Sequence, residues 1–383
     1  MSAHRQLWTA SDKDVNLTSK EFVNYKACGS FKGDYLQLCS LAGVIPHPCI
    51  LPALRTAPSG DVNSSATLSH NASRYDMKDG DRVNVSNHVL DPASLALLLK
   101  ALSLNPAVTA LDLHNAGLAT SAVAAIAAAL PTTALSALSI SFNPVDDDTV
   151  FAKLLADGTA LRALTLRGDA VASAGAAALA AALEANTRLA ALNLFANAVG
   201  DAGAAALADA LLVNTALAGL SLARNALTAA GADALARALR GVAAVAPGAP
   251  LLARRAAAEL RVVVHNKAAA EAARKKKGGG AEPQLLPALP PAAPCEADGS
   301  VRVAGNRTLA VLNLDDNGAV GTEGALLLLE AVAGVERGAL GLKLLRLQRC
   351  GADAAAIADA AARAAADSDL QIVTSPPPPR AEQ

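Results

Sequence analysis

One pattern of about eleven residues returns along most of the chain, and no other feature restricts its folding so strongly. Residues 189–199 read LAALNLFANAV and residues 217–227 read LAGLSLARNAL, a shift of 28. The same frame occurs at 80–90, 108–118, 135–145, 161–171, 309–320 and 342–352, and Leu370-Gln-Ile372 reads as a closing half copy. The Leu-x-Leu pair predicts a short strand that buries one face. Between strands, Gly175, Gly203 and Gly231 are again spaced by 28 and each opens an alanine-rich stretch. Leu179/Leu183, Leu207/Leu211 and Leu235/Leu239 are i,i+4 pairs, and Leu98/Leu102 and Ile126/Leu130 continue them. That spacing lines one face of a helix. Each unit is therefore a strand, a turn and a helix whose leucines meet across a shared core, and such units are stable only when stacked.

Composition agrees. Alanine fills 94 of 383 positions, which favours helix and close packing. The chain carries 33 basic and 34 acidic side chains, a net charge of −1. A balance of this kind excludes a globally basic nucleic-acid binder. The run from Leu113 to Val145 contains no Asp, Glu, Lys or Arg, long enough for a membrane span. Pro131, Asn143 and the repeat frame within it argue instead for the array. The N-terminus has no apolar core of signal-peptide length, and the five cysteines are scattered and odd in number. Both point to reduced thiols in the cytoplasm.

The frame L-x-x-L-x-L-x-x-N/C-x-L is that of leucine-rich repeats. With units of 26–28 residues and a full helix, it resembles the ribonuclease-inhibitor type, found in Ran GTPase-activating proteins and in the C-terminal arrays of NOD-like receptors. The resemblance covers residues 80–240 and 306–374. It implies an α/β fold: a leucine-rich-repeat solenoid (horseshoe) with a parallel concave sheet, convex α-helices and about eight repeats. The Tyr35–Pro46 stretch resembles the leader of repeat-only members, some of them ciliary. Arg274-Lys-Lys-Lys277 has the composition of a nuclear-localisation or anionic-surface patch.

The expected organisation is a capping segment over 1–51, a loop over 52–79 and repeats over 80–241. A disordered Ala/Pro/Lys-rich insertion over 242–305 follows, then repeats with a half copy over 306–374 and a disordered tail over 375–383. Five of the nine aromatic residues fall in 1–51, as suits an element that covers the first repeat. The insertion is inferred because Asn306-Arg-Thr-Leu309 repeats the motif of Asn186 and Asn214 only after a long delay. Asn143, Asn197, Asn225 and Asn317 follow the strands at one slot, where an amide both donates to and accepts from turning backbone. Cys350 takes that slot once, while Ala116 and Asp169 depart from it.

No phosphate loop, nucleophile elbow or paired metal-binding His motif occurs. Cys28, Cys39, His47 and Cys49 lack zinc spacing. No catalytic residue, cofactor or metal is expected. The surface that remains is the strand face, with Phe142, Arg167, Phe195, His114, Asp112, Asn193, Arg224, Asp315 and Arg346 as candidate partner-binding residues. Phe142, Arg167 and Phe195 have the composition of a hot spot. The expected function is a non-catalytic, monomeric scaffold for a protein partner, with no nucleic acid and no membrane span. The resemblance leaves two alternatives: a Ran-type GTPase-activating regulator, for which Asn87-His88-Val89 and Asn115-Ala116-Gly117 stand in place of the signature arginine loop, or a fragment of a NOD-like-receptor-type sensor.

Overall fold

The computed structural model describes residues 15–47, 49–50, 81–275, 285–290, 292–294, 300–335, 341–366 and 369–374. The chain divides into two units, Met1–Ala170 and Val171–Gln383.

In the first unit, α1 (Lys20–Val23) and α2 (Phe31–Ala42) precede four strand-bearing repeats. Strands β1 (Arg82–Ser86), β2 (Ala110–His114), β3 (Ala137–Ser141) and β4 (Ala163–Thr165) pair in parallel, with Arg82 opposite Ala110, Ala110 opposite Ala137 and Ala137 opposite Ala163. Parallel neighbours need a crossover. It is supplied by α3 (Pro92–Leu104), α4 (Thr120–Ala129) and a 3₁₀ helix over Asp148–Leu155. Helix α3 starts where Asp91 accepts from the Ser94 N–H at 3.0 Å and Pro92 occupies the first turn, as caps of this type do. The Leu-x-Leu residues, here Val83/Val85, Leu111/Leu113, Leu138/Ile140 and Leu164/Leu166, are buried. Helix α2 covers the start of the stack. Tyr35, Leu38 and Cys39 are fully buried, and Asn105 at the end of α3 donates to Asp34 at 3.0 Å.

In the second unit, β5 (Ala191–Asn193), β6 (Gly219–Ser221), β10 (Val311–Asn313), β11 (Leu344–Leu347) and β12 (Gln371–Thr374) form a parallel series. Helices α5 (Ser173–Ala185), α6 (Gly200–Leu211), α7 (Ala229–Arg240), α9 (Gly321–Ala333) and α10 (Ala354–Ala365) accompany them. The 28-residue glycine spacing is a packing requirement. A Cβ on Gly203 would lie 2.7 Å from Val199 Cγ1 and 2.9 Å from Ala176 Cβ, and one on Gly231 would lie 2.5 Å from Asp201 Oδ1.

Two sets of asparagines bind the turns. Asn143 donates to Leu113 O at 2.9 Å and accepts from Ala116 N at 2.8 Å. Asn317 accepts from Asn225 N at 2.8 Å and donates to Leu222 O at 2.9 Å, while the Cys350 thiol reaches Leu314 O at 3.0 Å. At the helix-to-strand corners of the second unit, Asn214 donates to Leu183 O at 2.6 Å and Asn186 O at 3.0 Å. Asn306 does the same to Leu211 O at 2.7 Å and Asn214 O at 3.0 Å. Ninety-two residues separate Asn214 from Asn306, yet their geometry is that of neighbours in the ladder, and β6 pairs directly with β10.

The insertion corrects an expectation. Where disorder was expected over 242–305, the described part holds α8, a 26-residue helix over Pro250–Lys275, and an antiparallel sheet of β7 (Gly241–Val245), β9 (Val301–Ala304) and β8 (Ala293–Pro294). The cause is composition at short range: residues 250–275 are dominated by Ala, Leu, Arg and Glu, all strong helix formers. Arginines then dock the helix. Arg254 forks onto Glu184 at 3.0 and 2.5 Å, Arg261 donates to Glu184 O at 2.7 Å, and buried Arg255 donates to Leu212 O at 2.8 Å. These acceptors lie at the C-terminal ends of α5 and α6, where the helix dipole favours cations. The expectations for residues 52–79 and 375–383, and for Lys276 and Lys277 of the basic run, fall outside the described residues.

Candidate binding surface

Side chains between and after the two leucines of each strand stand on the strand face. In every copy the residue two places after the second leucine adopts a left-handed backbone. These are Asn87, Asn115, Phe142, Gly168, Ala196, Arg224, Asp316 and Arg349, with φ between 47° and 66°. Asn, Asp and Gly tolerate that region, whereas a bulky side chain there is strained. Phe142, at φ 58°, is the one aromatic residue in this slot.

The first unit assembles a cluster around it. The His114 ring stands edge-on to Phe142 at 5.0 Å and 71°, and the Arg167 guanidinium lies 5.5 Å from the Phe142 ring centre. The Phe142 N–H donates to Arg167 O at 2.7 Å. Gly168 forms the floor: a Cβ there would approach two Phe142 ring carbons at 2.8 Å. Phe142 nevertheless remains 40% exposed. An aromatic ring flanked by a cation and an imidazole, and partly open to solvent, is the composition of an interface anchor. Asp112, on β2, is engaged by Arg82 at 2.6 Å, an exposed pair of the kind that adds little stability.

Beneath the cluster, Asp169 takes the asparagine slot. It is fully buried and accepts from Asn143 N at 2.6 Å. Burial pushes its carboxyl up to about 8, against the lowering effect of that N–H.

The remaining candidates belong to the second unit. Phe195 is half-buried, and its N–H donates to Asn193 Oδ1 at 3.0 Å, so Asn193 turns back on its own strand. Arg224 is exposed. Asp315 and Arg346 engage each other: Arg346 Nε donates to Asp315 Oδ2 at 2.7 Å, and Gln348 N–H donates to Asp315 Oδ1 at 2.8 Å. Beside them Arg349 forks onto Asp316, whose carboxyl is held below its ordinary range chiefly by that contact, with Arg224 adding to the effect. Not every strand-face side chain is open: Ser221 and Asn313, between the leucines, and the candidate Asp315, just after the second leucine, are buried. Asn313 and Asp315 are short side chains tied into local hydrogen bonds. Among the described residues no His, Cys, Asp or Glu group is arranged to hold a metal ion, and no helix is long and apolar enough to cross a membrane.

Sequence reasoning missed the left-handed slot and the role of Gly168. The family described as Leucine Rich repeat matches residues 185–208 and 305–329. Both matches begin one residue before the corner asparagines Asn186 and Asn306 and run through a strand into a helix. They lie on either side of the insertion, in agreement with the direct pairing of β6 and β10. No curated protein matches the chain.

Proposed function

We propose that the chain is a non-catalytic scaffold that docks a protein partner on the strand face of its leucine-rich repeats, anchored at Phe142, Arg167 and His114. The observation that carries this reading is the state of Phe142. A large ring is kept 40% exposed in a backbone conformation that costs about 1–2 kcal/mol for an L-residue, over a glycine that leaves room for it. The angle belongs to the slot in every copy; what sets Phe142 apart is an exposed aromatic ring in that slot, flanked by an imidazole and a guanidinium. Phe195 and Arg224 are the corresponding candidates of the second unit; the Asp112–Arg82 pair of the first unit and the Asp315–Arg346 pair of the second are each preformed and neutral. Repeats suit this role because adjoining strands present a continuous rigid surface at low reorganisation cost. The working state is a monomer in a reducing, cytoplasmic compartment, in keeping with unpaired Cys28, Cys39, Cys49 and Cys350.

The test is affinity capture from native lysate with the wild-type chain and with Phe142→Ala/Arg167→Ala. A protein retained by the wild type and lost from the double variant, with circular dichroism unchanged, supports the reading. Retention by both sinks it. A captured small GTPase whose hydrolysis accelerates would replace the scaffold with the regulatory alternative.

A further inference from the structure

Where the insertion rejoins the repeats, α7, β7 and β9 enclose a surface cavity of about 580 Å³, a size ordinary for small-ligand sites. Four arginines among the described residues surround it: Arg237 and Arg240 from the last turn of α7, Arg302 from β9 and Arg307 just beyond. Its floor is apolar, with Leu239 and Val303 buried, and no acidic side chain among the described residues lines it.

Two of the arginines have a structural explanation. Asp233, one turn back, lies 3.3 Å from Arg237 and 3.8 Å from Arg240, and the C-terminal end of α7 favours cations. Arg302 and Arg307 have none. Both are exposed, and neither side chain forms an ion pair or hydrogen bond with the described residues. Their placement is nevertheless firm. A Cβ on Gly241, at φ +91°, would lie 2.3 Å from Val303 O, and one on Gly305 would lie 1.9 Å from Leu239 O. The chain ends of the insertion are thus clamped backbone to backbone, which fixes Arg302 and Arg307 relative to Arg240. Among the described residues, four guanidinium groups face this cavity with Asp233 as the one carboxylate paired to any of them; they repel one another unless an anion joins them, and low-dielectric walls concentrate that field.

We propose that this cavity binds a multiply charged phosphate group, with Arg302 and Arg307 as its principal ligands and Arg237 and Arg240 completing the shell. The guanidinium fork matches phosphate oxygens two at a time. The site stands independently of the strand-face reading, on a different element of the molecule.

Calorimetric titration with inorganic pyrophosphate tests it on the full chain. Wild type is expected to bind, and Arg302→Gln/Arg307→Gln to weaken binding by about tenfold or more, the scale of a lost charge-assisted contact. Asp233→Asn should tighten it by releasing Arg237 and Arg240, a gain that no folding defect can imitate. Arg363→Gln, which removes an exposed arginine from the last turn of α10, should leave it unchanged. Absence of binding at millimolar pyrophosphate overturns the proposal, as does equal binding by wild type and Arg302→Gln/Arg307→Gln, or an equal loss in Arg363→Gln. Sedimentation with vesicles carrying a phosphomonoester lipid separates the sources. Vesicle binding in addition to pyrophosphate binding assigns a lipid headgroup, and pyrophosphate binding alone assigns a free phosphate compound. Vesicle binding without pyrophosphate binding overturns the site.

Discussion

At Phe142 and Gly168 two consecutive repeats settle one question together: how a large side chain occupies a left-handed slot. The ring lies over Gly168 because nothing projects from that residue, and Gly168 itself is in the same backbone region at φ +66°. Gly168→Ala should therefore destabilise the chain twice over, by about 1–2 kcal/mol for the backbone and further for the 2.8 Å approach to the ring. In a Phe142→Ala background only the backbone cost remains. Chemical denaturation of the four chains of this cycle should give a coupling above about 0.5 kcal/mol, the level expected of residues in contact. Additivity would mean the ring does not rest where the structure places it.

Asp169 poses a second residue-scale question, because an ionised carboxylate can only accept where its asparagine counterparts also donate. Its folded carboxyl sits near 8 against an ordinary 3.8. Below about pH 4 both folded and unfolded chains hold the proton. Between those values the folded chain keeps a proton that the unfolded chain releases, so stability falls as pH rises, by at most about 1.4 kcal/mol per pH unit. Above the folded value the full cost is present. Asp169→Asn removes this titration and restores an amide to the slot. Melting temperatures of wild type and variant should diverge steadily from pH 5 to pH 8, with the variant higher. Parallel curves would show that Asp169 does not hold a proton in the folded chain.

At the scale of the element, the helices owe their starts to the preceding repeat as much as to their own sequence. Thr228 caps the start of helix α7, and Asp201 of α6 accepts from Thr228 N at 2.8 Å, Thr228 Oγ1 at 2.6 Å and Gly231 N at 3.0 Å. One carboxylate thus caps a neighbouring helix, a contact worth about 0.5–2 kcal/mol in other caps. Asp201→Ala should lower stability by about the upper part of that range, and Asp201→Asn, which keeps the acceptor, by less. Equal losses would assign the effect to charge and not to the hydrogen bonds. This cap was not legible in sequence, since Asp201 sits 27 residues before Thr228 and capping motifs are recognised only locally. The Leu-x-Leu strands and i,i+4 helices were legible, because burial imposes their spacing on every copy. The left-handed slot was not, as Asn, Phe, Gly, Ala, Arg and Asp all occupy it and the turn, not the side chain, dictates the angle. Helix α8 escaped notice for a related reason. It lacks a leucine stripe, and its docking depends on arginines reaching the ends of α5 and α6, contacts that only the folded chain displays.

For the molecule as a whole, the insertion is an addition to the second unit and not a link in its stacking. Asn214 and Asn306 are 92 residues apart, and removing residues 242–305, 64 positions, leaves 92 − 64 = 28, the native spacing of Asn186 and Asn214. The ends are already adjacent, since Asn306 N–H donates to Ala238 O at 2.7 Å. A chain lacking 242–305 should therefore fold, keep the β6–β10 pairing and melt cooperatively. Stability in repeat arrays is a sum of units and neighbour interfaces, and none of those interfaces passes through α8. What is lost is the docking of Arg254, Arg255 and Arg261 on α5 and α6. Partly buried charged contacts of this kind are worth about 1.5–3 kcal/mol each at most, and here they are offset by the cost of desolvating the guanidinium groups. The expected result is a modest fall in melting temperature, a denaturant slope smaller in proportion to the surface removed, and unchanged capture of any partner that depends on Phe142 and Arg167. Pyrophosphate binding should disappear altogether, because Arg302 goes with the insertion and the wall formed by β7 and β9 is dismantled. A collapsed or aggregating product would instead make α8 an obligatory support for α5 and α6, and the repeats would then have to be regarded as unable to stack without it.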